Sequence, residues 1–239
     1  MLELDACTRC QECISVCPMV RTGFPDSAME CIAGWRKIIT RFSRLNAWLG
    51  RGISTSPNHS NLFSCLYHCT TCGACSVVCE SGIDIPALIE SMRGAGREMG
   101  YRDAVVERTA KTIVKKKNPY DMAPETRRAW IPAGIPIAEL ALIGLFVGCT
   151  IAFREQEVGR AALRILALSK TEFCMLENRE SCCGSFLFRT GSYKEYQDVI
   201  LTMIQDLVER GVETLLVLCR MLKNNNYRLA PCVWSTSAL

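Results

Sequence analysis

The chain lacks any segment of the kind that directs export or crosses a membrane. Residues 1–17 contain no apolar signal-peptide core, so the sequence predicts a protein that stays in a reducing compartment. The most apolar stretch, residues 131–147, is interrupted by Pro132, Pro136 and Glu139, and it is shorter than the roughly 20 residues that a spanning helix needs. A dinucleotide-binding fingerprint is also absent. These absences disfavour a secreted scaffold, a membrane-spanning protein and an enzyme with its own dinucleotide.

A strong excess of charge of either sign is absent as well. The 239 residues carry 28 Lys and Arg against 24 Asp and Glu, a formal net charge of +4. The short basic run at residues 115–117 is interpreted as the solvated end of a helix. We therefore predict no nucleic-acid partner and a cytoplasmic location, with attachment to the cytoplasmic membrane only through a partner subunit. Hydrophobic residues make up 49%, which is enough for one large or two small domains.

Cysteine is the residue in excess, with 16 copies. Eight of them form two copies of the spacing Cys-x2-Cys-x2-Cys-x3-Cys. The first copy is Cys7, Cys10, Cys13 and Cys17, and the second is Cys69, Cys72, Cys75 and Cys79. This spacing is that of bacterial ferredoxins, which carry cubane [4Fe–4S] clusters and in which the fourth cysteine of each run ligates the other cluster.

The spacing predicts two clusters that exchange one ligand each. Three thiolates separated by two residues let a tight loop wrap one corner of a cube, and the next three residues carry the chain to the second cube. The assignment is Cys7, Cys10, Cys13 and Cys79 for cluster 1, and Cys69, Cys72, Cys75 and Cys17 for cluster 2. Zinc is the alternative, but structural zinc sites pair Cys-x2–4-Cys knuckles across longer loops.

The predicted fold class is α+β and mostly α. Residues 1–100 are expected to form a helix-rich two-cluster ferredoxin-like domain, followed by a helix and a Pro-rich linker at 101–139. Residues 140–230 alternate strand, helix, strand, helix and strand, which predicts a small α/β domain with parallel strands. The two helices of this domain are predicted at residues 155–169 and 193–210. Residues 231–239 are expected to be an unstructured tail.

Four cysteines of the α/β region are expected at one edge of its sheet. They follow predicted strands, and ligands in open α/β sheets bind beyond the carboxyl ends of strands. These residues are Cys149, Cys182, Cys183 and Cys219.

Their pattern resembles the CCG domain, the cysteine-rich module of heterodisulfide reductases. The similarity extends over residues 146–150, 182–185, 189–191 and 209–212. With two ferredoxin motifs in front, the chain resembles the first part of the D-type subunit of heterodisulfide reductase. The resemblance implies an oxidoreductase subunit of methanogenesis that relays electrons through two [4Fe–4S] clusters to reduce the coenzyme M–coenzyme B disulfide. It also implies redox partners, a cytochrome b-type membrane subunit among them, and a small thiol–disulfide substrate.

The chain departs from the family pattern at the last ligands. The family holds a noncubane [4Fe–4S] cluster with five cysteines, but its final Cys-x-x-Cys reads here as Cys219-Arg220-Met221-Leu222. A second CCG copy, usual in the family, does not follow, so the chain is expected to be truncated before it. Two interpretations stay open for Cys149, Cys182, Cys183 and Cys219: a third, noncubane [4Fe–4S] cluster, or buried thiols that pack as small hydrophobic groups.

An alternative function keeps only the electron relay. The same two-module layout resembles the iron–sulfur subunits of flavin-linked dehydrogenases of glycolate, lactate or glycerol 3-phosphate, in which a partner flavoprotein does the substrate chemistry. No catalytic residue is assigned in either case. Cys31, Cys65, Cys174 and Cys232 are left without a cluster role, and packing is the expected role for Cys65.

Overall fold

A computed structural model describes residues 6–24, 29–38, 60–218 and 233–235. These residues form two compact units. Unit 1 comprises the described residues up to Ala104 together with Arg189–Ser192, and unit 2 comprises Val105–Phe188 and the described residues from Tyr193 onward. No helix in the described ranges is long and apolar enough to cross a membrane.

Unit 1 is built from helices. They are α1 (Glu12–Ser15), α2 (Pro18–Arg21), α3 (residues 29–38), α4 (Ser60–His68), α5 (Ala74–Val77) and α6 (Ile85–Glu98). The longest, α6, is capped by Asp84, whose side chain accepts a hydrogen bond from the backbone N–H of Ala87, and Pro86 lies in its first turn, where a missing N–H costs nothing. Its buried face carries Leu88, Ile89 and Met92, and this apolar stripe forms one core with α3 and α4.

The segment Arg189–Ser192 packs in unit 1 against α6. A side chain on Gly191 would place its Cβ 2.5 Å from the backbone nitrogen of Gly94, and Gly191 has a φ of +78°. Arg189 forms an ion pair with Glu90, with 2.8 Å between Nε and Oε1. The Arg-Thr-Gly sequence therefore has a structural reason, because only glycine allows this approach to a helix backbone.

Unit 2 contains a four-stranded sheet. Its strands are β1 (Ile143–Phe146), β2 (Cys174–Met175), β3 (Thr214–Val217) and β4 (Val233–Ser235), in the order β2-β1-β3-β4. β1 pairs in parallel with β2 and β3, whereas β4 is antiparallel to β3. The predicted class, α+β and mostly α, is confirmed. β4 lies in the segment for which the sequence predicts no element.

The helices of unit 2 surround this sheet. They are α7 (Ala104–Lys116), α8 (Cys149–Phe153), α9 (Gln156–Leu168), α10 (Ser185–Arg189) and α11 (Tyr193–Glu209). α9 is one residue shorter at each end than the sequence predicts, and α11 is one residue shorter at its carboxyl end. Gly211 accounts for the end of α11, since its φ of +70° lies in the left-handed region that terminates helices.

The Pro-rich segment that the sequence predicts as a linker is part of the core of unit 2. Asn118, Arg127 and Trp130 are all buried. Asn118 binds the backbone of residues 116, 120 and 122 through its side-chain amide. Trp130 lies so close to α9 that a Cβ on Gly159 would approach its ring to 2.6 Å. The prolines therefore shape a packed connection rather than a loose one.

Candidate metal centres

The two cysteine motifs of unit 1 fold into loops with the same backbone conformation. In the first loop Arg9 and Gln11 have φ angles of +63° and +72°, and at the same motif positions in the second loop Thr71 and Gly73 have +52° and +84°. Gln11 and Gly73 are the residues directly before the short helices α1 and α5. Left-handed residues turn the backbone sharply, and this turn lets each loop curl around one side of a cavity.

Each cavity is lined by four of the eight motif cysteines. One cavity is lined by Cys7, Cys10, Cys13 and Cys79. The other is lined by Cys17, Cys69, Cys72 and Cys75. In each case three thiols come from one motif and the fourth comes from the other.

The donor chemistry of both cavities fits a [4Fe–4S] cluster. Iron–sulfur clusters are held by thiolates, usually four of them, and are tuned by hydrogen bonds to the sulfurs. The backbone N–H of Thr71 donates to Sγ of Cys69 at 3.4 Å. Among the described residues, no three His, Cys, Asp or Glu side chains converge on the position of one metal ion. The four thiols that line each cavity are therefore the donor set that would hold such a cluster.

Three of the motif thiols in unit 1 have raised pKa values. Burial raises the pKa of Cys13 and of Cys69 above the usual range. Burial, followed by the neighbouring thiols Cys69 and Cys72, raises the pKa of Cys75 to about 11. Ligation by metal needs thiolates, so binding of a cluster would release protons at these positions.

Two arginines contact the backbone of the motif cysteines. Arg93 is buried and donates to the carbonyl oxygen of Leu66 from Nε and Nη2, at 3.0 and 2.6 Å, and to that of Cys69 at 2.5 Å. Arg36 donates to the carbonyl oxygen of Cys7 at 3.3 Å. Each cavity therefore has one guanidinium held against a motif cysteine, which offsets part of the negative charge of a thiolate-bound cluster.

Three cysteines of unit 2 lie together where β1 ends. Cys149 begins α8, two residues after the apolar run ends at Val147, and its Sγ lies 3.9 Å from Sγ of Cys182. Cys183 is buried beside them. Gly184 follows in a left-handed conformation, and a Cβ there would approach the ring of Tyr196 to 2.6 Å. The Cys-Cys-Gly sequence thus places two thiols on a turn that only glycine allows. Cys219 lies outside the described residues.

Hydrogen bonding lowers the pKa of two of these three thiols and raises that of the third. The hydrogen bond with Cys182 lowers the pKa of Cys149, and it lowers that of Cys183 to about 7. The same hydrogen bonds, together with burial, raise the pKa of Cys182. Cys149 and Cys183 therefore ionise more readily than Cys182, and the thiolate is the nucleophilic and metal-binding form of cysteine.

A buried carboxylate joins the two cysteine-bearing loops, and the sequence analysis missed it. Glu180 accepts hydrogen bonds from the backbone N–H groups of Val147 and Gly148, at 3.1 and 2.9 Å, and pairs with Arg127 at 2.7 Å. Burial raises the pKa of Glu180, opposed by Arg127 and the two N–H donors. The only signal in the sequence was a glutamate two residues before the Cys-Cys pair.

Comparisons with known proteins agree with this division of the chain. Residues 3–83 match the family "4Fe-4S dicluster domain", and residues 143–221 match the family "Cysteine-rich domain", also called CCG. The chain is thus an iron–sulfur protein with a dicluster domain followed by a CCG domain. Binding of [4Fe–4S] clusters, as predicted, is supported by both families.

The relatives narrow this class further. The chain is 33% identical over 220 residues to the D-type subunit of dihydromethanophenazine:CoB–CoM heterodisulfide reductase from Methanosarcina acetivorans, a match that covers 90% of this chain and 53% of that protein. It is also 33% identical to the same subunit of Methanosarcina barkeri, in a match that covers 92% of this chain and 56% of that protein. The B-type subunit of the CoM/CoB fumarate reductase from Methanothermobacter marburgensis is 29% identical, over 91% of this chain and 42% of that protein. No solved structure gives a significant match.

The chain is therefore similar, along about 90% of its length, to the D-type subunits of heterodisulfide reductases, as the sequence pattern predicted. These relatives are subunits of oxidoreductases. The chain spans about half the length of the D-type relatives that it matches.

Proposed function

We propose that this chain is the iron–sulfur relay subunit of a heterodisulfide-reductase-like complex, with two [4Fe–4S] clusters in unit 1 and a thiol–disulfide site in unit 2. Cys7, Cys10, Cys13 and Cys79 hold cluster 1, and Cys69, Cys72, Cys75 and Cys17 hold cluster 2. Electrons come from a partner redox subunit, either a cytochrome b-type membrane subunit or a flavoprotein. The substrate is a small disulfide of the coenzyme M–coenzyme B type.

The observation that carries the proposal is the composition of the two cavities. Each has a complete set of four thiols, and in each set the fourth thiol comes from the other motif. This exchange is the ligand pattern of two-cluster ferredoxins. Bound clusters supply reversible one-electron transfer, while the protein holds the thiolates apart and places Arg93 and Arg36 against the cysteine backbone.

The chemistry of unit 2 suits a disulfide substrate. Reductive cleavage of a disulfide produces two thiolates, and a soft metal with thiolate ligands accepts them readily. Cys149, Cys182 and Cys183 are buried together, and hydrogen bonding with Cys182 lowers the pKa of Cys149 and of Cys183. We propose that they hold the iron of a noncubane cluster there, with Cys219 as a fourth ligand.

Iron and acid-labile sulfide per chain, measured on anaerobically prepared protein, test the cluster assignment. About eight irons indicate the two cubane clusters alone, and about twelve indicate that the unit 2 site is also filled. Colourless protein, or zinc in place of iron, would contradict the proposal.

Two matched variants test which cysteine serves which cluster. Cys79→Ser removes the exchanged ligand of cluster 1, and Cys17→Ser removes that of cluster 2. Each variant is expected to change the paramagnetic spectrum of one cluster, and the two changes are expected to differ. If both variants alter the same cluster, the proposed assignment of Cys79 to cluster 1 and Cys17 to cluster 2 is wrong, even if the iron content agrees with two clusters.

The substrate assignment has its own test. Adding coenzyme M, or its disulfide with coenzyme B, to the oxidised protein is expected to produce a new paramagnetic species at unit 2. Cys183→Ala should abolish this species without removing the signals of the unit 1 clusters. If the wild type gives no new species, the chain keeps its relay function and loses the proposed substrate.

A further inference from the structure

Two cysteines outside all of the cluster assignments lie in contact. Cys31 on α3 and Cys65 on α4 are buried, with 1% and 5% of their surfaces exposed. Their Sγ atoms are 2.7 Å apart, across 34 positions of sequence. A disulfide bond is ~2.05 Å long, so a small movement of either side chain joins the two sulfurs.

A second buried thiol makes a different kind of contact. Cys174 in unit 2 donates from its Sγ to the carbonyl oxygen of Ala141 at 3.9 Å. In the pair on α3 and α4, the sulfurs of two different helices contact each other. Close approach of two sulfurs is one of the conditions for a disulfide bond.

The pair also has a specific neighbour. Cys31 and Cys65 line the same cavity as Cys17, Cys69, Cys72 and Cys75. Because both thiols are shielded from solvent, a dissolved thiol or disulfide reaches them poorly. The redox partner that the structure offers them is the group held by the four cysteines of that cavity.

We propose that Cys31 and Cys65 form a two-electron dithiol–disulfide site beside cluster 2. In the oxidised state the two sulfurs are bonded. Reduction breaks this S–S bond with two electrons and two protons and leaves two thiols. Each of the two electrons would come from a reduced [4Fe–4S] cluster that returns to its oxidised state, and the two protons would come from solvent.

The site would let a chain with one-electron carriers store an electron pair. Electrons pass from a cluster to the disulfide when the potential of the cluster lies below that of the disulfide couple. The inference rests on the proposed function in one respect, since the clusters supply the electrons. The presence of the bond itself does not depend on it.

Peptide mapping of the wild type tests for the bond. Anaerobically prepared protein with a measured iron content is oxidised with a one-electron mediator, which can act through the clusters, or reduced with dithionite, then unfolded and alkylated. Trypsin releases Cys31 in the peptide 22–36, and chymotrypsin cleavage at Phe63 and Tyr67 separates Cys65 from Cys69. The linked peptide is expected in the oxidised sample and is expected to disappear on reduction.

Electron counting tests the function of the bond. A reductive titration of the oxidised wild type should consume two more electrons per chain than Cys31→Ser or Cys65→Ser, and Cys31→Ala provides a second variant in case serine disturbs the core. Cys174→Ser, which removes a buried thiol in unit 2, should consume as many electrons as the wild type.

The outcomes separate this inference from the proposed function. Full iron content with no linked peptide and equal electron counts would overturn the dithiol site and leave the clusters in place. Loss of about four irons in the Cys31 or Cys65 variants would also overturn it, since the pair would then be ligands. A linked peptide in protein without iron would support the bond and contradict the proposed function.

Discussion

Replacing Glu180 should destabilise unit 2 far more than replacing an exposed glutamate nearby. Glu180 and Arg127 are buried, with side-chain exposures of 2% and 3%. Removing one partner of a buried ion pair typically costs about 3–5 kcal/mol. Glu180→Ala also leaves the N–H groups of Val147 and Gly148 without their acceptor, at about 1–3 kcal/mol for each buried donor. We therefore expect a loss of at least ~4 kcal/mol for this variant.

The control lies three residues earlier in the same segment. Glu177 pairs with Arg128 at 3.0 Å, but their side chains are 26% and 56% exposed. Exposed pairs contribute about 0–1 kcal/mol, so Glu177→Gln should be nearly neutral. Glu180→Gln retains one acceptor oxygen and should fall between the two.

Peptide-resolved hydrogen exchange is the appropriate assay, because a chain with two units need not unfold in one step. In Glu180→Ala, the peptide that contains residues 147 and 148 should exchange roughly 700-fold faster or more, since each 1.4 kcal/mol is tenfold. The midpoint of thermal unfolding of unit 2 should fall by roughly 10–20 °C. If Glu180→Ala and Glu177→Gln lose the same small amount, the carboxylate does not hold the two cysteine loops together, and the argument fails.

Three further predictions concern single positions. Gly191→Ala should abolish the packing of its segment on α6, because its Cβ would lie 2.5 Å from a backbone nitrogen. Gly211 has a similar φ of +70° but open space around it, so Gly211→Ala should lower the free energy of unfolding by only about 1–2 kcal/mol. Denaturant unfolding of both variants compares the two losses. Arg93→Gln should lower the reduction potential of cluster 2 by tens of millivolts, and Arg36→Gln should lower that of cluster 1 instead, as followed by paramagnetic resonance during redox titration. In iron-free protein, Cys183 should be alkylated at half its maximal rate near pH 7, because hydrogen bonding lowers its pKa to about 7 and the thiolate fraction grows as the pH rises through that value. Mass spectrometry of the labelled peptide across the pH range measures this rate. Labelling that begins only at alkaline pH would contradict the prediction.

The sequence alone predicts the local structure well where one residue controls an element. α11, predicted at residues 193–210, stops before Gly211 because a left-handed residue is needed there, and α6 begins after Asp84, whose carboxylate caps it. The assignment of ligands to two clusters also follows from local spacing, and it stays a prediction for cluster experiments to decide.

Long-range pairs could not be found in this way. Glu180 meets Arg127 across 53 positions, and Cys31 meets Cys65 across 34. No periodicity or spacing connects such residues, since their contact depends on how helices and loops pack in three dimensions. The Pro-rich segment was misjudged for the same reason: its composition is that of a linker, but Trp130 buries itself against α9.

The two motif loops have the same backbone conformation, but they differ in the residue at one position with a positive φ. At the position before the short helix, the second loop has Gly73, which adopts a positive φ at no steric cost, and the first loop has Gln11, which does not. A side chain at this position costs about 1–2 kcal/mol of backbone strain, which glycine avoids. The loop of the first motif is therefore less stable than the loop of the second motif when no cluster is bound. When iron is scarce during maturation, the cavity lined by Cys17, Cys69, Cys72 and Cys75 should receive its cluster first. Under oxidative damage, the cavity lined by Cys7, Cys10, Cys13 and Cys79 should be the first to lose its cluster.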